Sequence, residues 1–91
     1  LSHYFNDMPR LTRSDFKPWI IAALRAHGGS ASIAQVCKHI WEHNHALIAQ
    51  DEALLYTWQF EVRWAKDLLS RDGTLLPAKQ SGKGRWQLSQ P

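Results

Sequence analysis

The apolar spacing of residues 58–71 constrains the fold most strongly. Its apolar side chains recur at intervals of three and four residues, at Trp58, Val62, Ala65 and Leu69. At about 100° per residue this spacing puts all four on one side of a helix. Thr57 is a typical N-cap residue before the segment, and Gly73 is a typical stop after it. The pattern therefore predicts an amphipathic helix that packs on a core.

Two earlier segments have similar helical spacing. Ser14 is suited to cap a first helix, which Gly28 and Gly29 would end. Ser32 is suited to cap a second helix, which we expect to fray near Asn44. The sequence therefore predicts three helices in all.

The stretches around these helices have weaker signals. Ser30 and Ala31 are predicted to form a very short extended piece between the first two helices. Residues 45–55 have helix-forming residues but no clean stop, so we expect an ordered connector with one or two turns. Residues 1–13 are predicted to be an N-terminal arm, and residues 14–91 one domain.

After Gly73 the apolar period changes to two. Thr74–Leu76 is predicted to be a strand, residues 77–84 a mobile hairpin tip, and Arg85–Leu88 a second strand with Trp86 and Leu88 facing inward. Three helices followed by a two- to three-stranded antiparallel wing is the order of a winged helix-turn-helix. The predicted fold class is therefore mainly α with a small β-hairpin.

Composition limits the classes of protein that fit. Ninety-one residues form one small domain, which excludes a multi-domain enzyme. The formal net charge of +3 favours an anionic partner. The single cysteine, Cys37, excludes an internal disulfide and indicates a reducing, cytoplasmic setting, and no apolar run is long enough to span a membrane. Because the sequence begins at Leu1 rather than Met, we expect it to be a segment of a longer protein.

The last third of the chain resembles a known kind of domain. The run FEVRWAKDLLSRDGTLLPAKQSGKGRWQLS, residues 60–89, resembles the end of the winged-helix domain at the amino end of Mrr-type restriction proteins. The matching positions are Val62, Arg63, Trp64, Ala65, Gly73, Leu75, Leu76, Gly84, Trp86 and Leu88. The layout is also similar to the carboxy-terminal winged helix of DpnI-type endonucleases, which reads N6-methyladenine. The resemblance implies a bacterial DNA-recognition domain of a restriction system, with any nuclease elsewhere in the parent protein.

The side of the third helix opposite its apolar stripe carries our candidate base-reading residues. They are Tyr56, Gln59, Phe60, Arg63 and Asp67. In a winged helix this face enters the major groove, where Arg bonds guanine, Gln bonds adenine and apolar groups contact a base methyl group. Alternatively, Arg63 pairs with Asp67 four residues on, and the arm covers the aromatic side chains through Tyr4 and Phe5. Phe60, Trp64 and Leu68 also form a second stripe, which favours burial of Trp64.

Candidate phosphate-binding residues are basic or carry hydroxyl and amide groups. They are Ser30, Ser32, Gln35, Thr57, Lys79, Lys83 and Arg85. The segment after Gly73 has three of the basic residues and no acidic one, as expected of a wing that contacts the DNA backbone. A solvated hairpin tip has the same composition. Arg10 and Arg13 in the arm are candidates for a minor-groove contact.

No residue pattern predicts catalysis or a cofactor. His39 and His43 are four residues apart on a helix, a spacing that can chelate a metal, with Cys37 and His45 nearby. Cys37 lies on the apolar stripe, however, and no second ligand pair is present, so exposed histidines near a helix end are the preferred interpretation. We therefore predict no metal, no cofactor and no catalytic residue.

Three functional hypotheses remain open from the sequence. The first is a module that binds double-stranded DNA as the specificity domain of a restriction system and reads methylated DNA. The second is a winged helix that binds another protein or a second copy through its aromatic face. The third is the DNA-binding domain of a transcriptional regulator that reads unmodified DNA.

Overall fold

The computed structural model describes residues 11–90 and is mainly helical with a small antiparallel sheet. This confirms the coarse prediction of fold class. The elements are α1 (Arg13–Ala26), β1 (Ser30–Ser32), α2 (Ile33–Ala49), α3 (Glu52–Arg71), α4 (Ala78–Ser81) and β2 (Arg85–Gln87). The predicted short extended piece between the first two helices is therefore present, as β1.

The sheet joins the beginning of the domain to its end. β1 pairs antiparallel with β2, and Ala31 lies opposite Trp86. On the other side of the β2 segment, Leu75 forms a single bridge with Leu88. The β2 segment therefore lies between β1 and the chain that leaves α3.

The predicted strand at Thr74–Leu76 is reduced to this single bridge. The backbone amides of Thr74 and Leu75 both donate to the Leu69 carbonyl oxygen, at 3.0 and 3.2 Å, so they close the end of α3. Only Leu76 N then donates to Gln87 O, at 2.9 Å, while Thr74 O accepts from Ser89 N at 2.9 Å. Closing the helix end leaves this segment few amides for a regular ladder.

The prediction that Ser14 caps the first helix is wrong. α1 begins at Arg13, and its N-cap is Thr12. The Asp15 carboxylate accepts a hydrogen bond from Thr12 N at 2.7 Å, so the acidic residue at N3 completes a capping box. Ser14 lies inside the first turn of the helix.

The predicted connector at residues 45–55 is also wrong. α2 continues to Ala49, and α3 begins at Glu52, which leaves a connection of two residues. Asp51 is the N-cap of α3, and its carboxylate accepts from Leu54 N at 3.2 Å. Thr57, which was predicted to be this cap, lies inside the helix and donates its hydroxyl to the Ala53 carbonyl oxygen at 2.9 Å.

The predicted hairpin tip contains one turn of helix, α4. The amides of Gln80 and Ser81 both donate to the Pro77 carbonyl oxygen, at 2.9 and 3.1 Å. Gly82 and Gly84 then take positive φ values of 94° and 71°, which side-chain-bearing residues rarely adopt. These two glycines return the chain from α4 to β2.

The core receives side chains from α1, α2, α3 and the sheet segments. All four residues of the predicted α3 stripe are buried, and so are the two residues predicted to face inward from the last strand. The buried core residues are Phe16, Ile20, Ala23, Leu24, Ala31, Val36, Ile40, Ile48, Leu54, Trp58, Val62, Ala65, Leu69, Leu75, Trp86 and Leu88. Of the helices within residues 11–90, none combines the length and apolar character needed to cross a membrane.

The capping box at the start of α2 predicts a measurable loss of stability. The Ser32 hydroxyl accepts from Gln35 N at 3.1 Å, which satisfies an amide that lacks a helical partner. Ser32→Ala is therefore expected to lower the free energy of unfolding by about 1 kcal/mol. Urea denaturation followed by circular dichroism measures this. Ser14→Ala is the matched control, because Ser14 caps nothing, and equal losses in the two variants would contradict the assignment.

Candidate nucleic-acid interface

All five candidate base-reading residues of α3 are exposed. Tyr56 is 76% exposed and Phe60 is 64% exposed. Gln59, Arg63 and Asp67 are exposed as well. The helix turns these positions away from its buried stripe because they are offset from it along the 3.6-residue period.

Four of the five candidates surround one open depression on α3. Tyr56, Gln59, Phe60 and Arg63 line it. Asp67 lies outside this lining, and its carboxylate oxygen is 4.0 Å from Lys66 Nζ. We call Tyr56, Gln59, Phe60 and Arg63 the α3 group.

Arg63 is a free cation on this face. Within residues 11–90 it forms no ion pair, so the alternative of a pair with Asp67 is wrong. Burial raises the pKa of the Cys37 thiol, and the positive charge of Arg63 partly opposes that rise. Arg63 is therefore close enough to Cys37 of α2 for the two charges to interact.

A second depression, between α2 and α3, continues the first. Cys37, Lys38 and Trp41 line it from α2, and Trp58 and Gln59 line it from α3. The rings of Trp41 and Trp58 stack with centroids 5.7 Å apart. Gln59 therefore lies between the two depressions, and Lys38 adds a second cation beside it.

Sequence reasoning did not select Lys38 or Trp41. The available signal was the position of Lys38 and Trp41 next to Cys37 on the flank of the apolar stripe of α2. A helix of 17 residues carries that flank along α3.

Trp64 is not buried, although the stripe that it forms with Phe60 and Leu68 favoured burial. It is 49% exposed, and the Arg13 guanidinium lies over its ring, 4.7 Å from the centroid. Arg13 Nε also donates to the Glu61 carboxylate at 2.8 Å. Arg13 thus belongs to α1 and contacts α3, whereas the sequence placed it in the arm, and its minor-groove contact stays a prediction. The predictions for Tyr4, Phe5 and Arg10 lie outside the described residues.

Four candidate phosphate-binding residues gather at the start of α2. Arg85 Nη2 donates to the Ser30 hydroxyl at 3.3 Å, which ties β2 to β1. Ser32 and Gln35 form the capping box, in which Gln35 Oε1 accepts from Ser32 N at 2.9 Å. These bonds use the Ser30 and Ser32 hydroxyls and the Gln35 carbonyl oxygen only as acceptors. The two hydroxyl hydrogens, the Gln35 amide nitrogen and the Arg85 guanidinium therefore remain as donors for a ligand.

The two lysines of the predicted wing are exposed near this end. Lys79 lies in α4, and Lys83 precedes Gly84, whose carbonyl oxygen accepts from Ile33 N at 3.0 Å. We call Lys79, Lys83 and Arg85 the wing group. Thr57 is exposed on α3, away from them in sequence, and its hydroxyl donates within the helix. Within residues 11–90, no hydrogen bond or ion pair joins the α3 group to the wing group.

Three histidines cluster where the end of α1 meets α2, namely His27, His39 and His43, of which His39 and His43 are stacked. The His39 and His43 rings are 4.0 Å apart, and the His27 ring is 6.4 Å from that of His39. His27 Nδ1 and His43 Nδ1 donate to backbone carbonyl oxygens, whereas His39 Nδ1 is buried and has no hydrogen-bond partner among the described residues. In that same part of the chain, no group of three or more His, Cys, Asp or Glu side chains is placed to hold a metal.

This cluster predicts a pH dependence of stability. Burial, followed by the charges of His43 and His27, lowers the pKa of His39 below its usual value, while Glu42 opposes the shift. The unfolded chain then binds a proton more readily than the folded one, so stability is expected to fall as the pH drops below about 6.5. His39→Gln is expected to reduce the fall in urea midpoint between about pH 7.5 and about pH 5.5. His45→Gln, on the same helix, is the control, and the prediction fails if both variants keep the full fall.

Comparisons with known proteins give no relative: no family model matches the chain, and neither a curated protein nor a solved structure matches it.

Proposed function

We propose that this protein is a winged-helix module that binds double-stranded DNA. The element order α1, β1, α2, α3 and then a wing supports this proposal. So does the arrangement of the sheet, in which the β2 segment lies between β1 and the Leu75 bridge. The observation that carries the proposal is the α3 group, in which an arginine without an ion pair among residues 11–90 and a glutamine are exposed beside two exposed aromatic rings.

In this proposal α3 enters the major groove. Arg63 bonds guanine O6 and N7, and Gln59 bonds adenine N7, together with N6 where that amine is unmethylated. Tyr56 and Phe60 contact base methyl groups, because an exposed ring gains from covering apolar surface. Asp67 accepts from cytosine N4 one turn beyond Arg63.

The wing group holds the phosphate backbone. Lys79 and Lys83 are exposed, and Arg85 keeps further guanidinium donors beyond its bond to Ser30. The residues after Gly73 include no acidic side chain to oppose a phosphate. Each neutralised phosphate releases counterions, so binding weakens as salt rises. Ser30, Ser32, Gln35 and Thr57 are proposed to make weaker polar contacts with the same backbone.

The resemblance to Mrr-type and DpnI-type domains narrows the proposal. It implies the specificity domain of a restriction system in the bacterial cytoplasm, with the nuclease in another domain of the parent protein. An aromatic contact suits a methylated base such as N6-methyladenine, because a methyl group adds apolar surface without a hydrogen bond. Such contacts contribute about 1 to 2 kcal/mol, enough for about tenfold discrimination.

Fluorescence anisotropy with labelled duplexes tests this proposal. Matched duplexes that are unmodified, adenine-methylated or cytosine-methylated are compared at low and high salt. We expect duplex binding that weakens with salt and favours adenine methylation by about tenfold. Equal binding to all three duplexes would contradict the reading of methylated bases but agree with DNA binding, as in a transcriptional regulator. The absence of binding to any of them would contradict the proposal that the protein binds DNA.

A second candidate function rests on the aromatic side chains of α3. Tyr56, Phe60 and Trp64 are all exposed and lie four residues apart, so they form one stripe on the helix surface. Exposed apolar patches mark protein interfaces as well as ligand sites. Under this alternative, Phe60→Ala disrupts self-association in sedimentation measurements, and removal of the wing cations leaves duplex affinity unchanged.

A further inference from the structure

We infer that the α3 group reads an adenine and a guanine within about two base pairs of each other, with Gln59 on the adenine and Arg63 on the guanine. This inference rests on the proposed DNA binding and adds the spacing of the two bases to the contacts proposed there. The observation behind it is that both polar side chains line the same depression and are four residues apart on one helix.

The spacing of these residues sets the spacing of the bases. Four residues of α-helix rise about 6 Å, and stacked bases are about 3.4 Å apart along each strand. Two side chains of an α3 that lies along the groove therefore reach base pairs that are adjacent or separated by one. Base pairs that are further apart lie beyond the distance between two side chains one helical turn apart.

The surroundings of each side chain determine which base it prefers. Arg63 has no carboxylate partner within residues 11–90, so its planar fork remains available for the two acceptors of guanine. Gln59 is exposed and has an amide donor and an amide acceptor, which match adenine N7 and N6. Phe60, next to Gln59 on the helix, is 64% exposed and supplies an apolar surface for the methyl group of the thymine that pairs with adenine.

Within the depression itself, the polar side chains of residues 11–90 besides these two are limited to Tyr56. On the α1 side, Arg13 forms an ion pair with Glu61 at 2.8 Å and its guanidinium lies over the Trp64 ring. The charge of Arg13 is therefore already paired with a carboxylate. Beyond Arg63, Asp67 lies 4.0 Å from Lys66 Nζ. Lys38, the other cation near Gln59, lines the adjoining depression between α2 and α3.

Selection from a pool of random duplexes tests this inference. The wild-type chain is expected to enrich a site that contains adenine and guanine, adjacent or one base pair apart. Gln59→Ala is expected to lose the preference at the adenine and keep it at the guanine, and Arg63→Ala is expected to do the reverse. Each preference is expected to fall by about 10-fold to about 100-fold. Arg71→Ala, which removes one charge at the end of the same helix, is the matched control and is expected to keep both preferences.

The failures of the two proposals are distinguishable. If the wild-type chain binds duplexes and loses affinity when the wing group is removed, but enriches no such pair of bases, the base assignment is overturned and DNA binding stands. The assignment is also overturned if Arg63→Ala and Arg71→Ala weaken binding equally at every sequence, because Arg63 would then act only as a charge. If no duplex is bound at all, both proposals fall. Circular dichroism of each variant confirms that the fold is retained.

Discussion

Replacement of Lys79, Lys83 and Arg85 together with Ala is expected to weaken duplex binding by about 10²-fold to 10³-fold at 0.1 M salt. Each phosphate contact contributes about 0.9 to the slope of log affinity against log salt, so three contacts contribute about 2.7. Over one decade of salt below 1 M, that slope corresponds to about 500-fold in affinity. Anisotropy titrations over a range of salt concentrations measure both the slope and the loss.

A charge-matched control separates a local contact from a general effect of net charge. Lys17, Arg25 and Arg71 lie outside both the wing group and the α3 group, and their replacement removes the same total charge. We expect this control variant to keep most of the wild-type slope. Equal slopes in the two triple variants would show that the wing does not contact the backbone.

Trp86→Ala is expected to lower the free energy of unfolding by about 3 to 5 kcal/mol. Trp86 is 6% exposed, and its strand links β1 to the chain leaving α3, so truncation opens a cavity where the sheet covers the helices. A loss of this size is a large part of the stability of a small domain. Urea denaturation followed by far-ultraviolet circular dichroism measures the change without depending on the removed fluorophore.

Trp64→Ala is the matched control, because the same side chain is removed from a site that is 49% exposed. Its contact with Arg13 is expected to contribute about 0.5 to 1 kcal/mol. If Trp64→Ala lowered the free energy of unfolding as much as Trp86→Ala, the sheet would not be covering the core as described.

The sequence predicts the buried side of α3 and the beginning of α2 because each has a strong local signal. The four-residue stripe from Trp58 to Leu69 has one consistent period, and all its members are buried. Ser32 has Gln35 three residues later, and the two form the capping box. Both patterns depend on residues within one or a few helical turns of each other, so packing with other elements does not change the structure that they predict.

The junction of α2 and α3 was missed because two capping residues compete there. Asp51 and Thr57 are both suited to begin a helix, and only the packing of the longer α3 decides between them. Once Asp51 is the cap, the hydroxyl of Thr57 is within reach of the carbonyl four residues back. The candidate site likewise combines residues that local sequence predicts with residues that it does not. The exposure of Gln59 and Arg63 follows from the helical period, whereas the positions of Lys38 and Trp41 depend on how α2 packs beside α3.

The helical turn α4 bears on the entropy that the proposed contact between the wing group and DNA would cost. Gly82 N donates to Ala78 O at 3.1 Å, and Ser81, which is buried, donates its hydroxyl to Leu76 O at 3.4 Å, so the backbone that carries Lys79 is already ordered. A flexible tip would lose conformational entropy when it settled on an anionic surface, by about 1 to 2 kcal/mol for each residue fixed. Here that entropy is lost during folding. Association through this segment is therefore limited by diffusion and orientation rather than by loop closure.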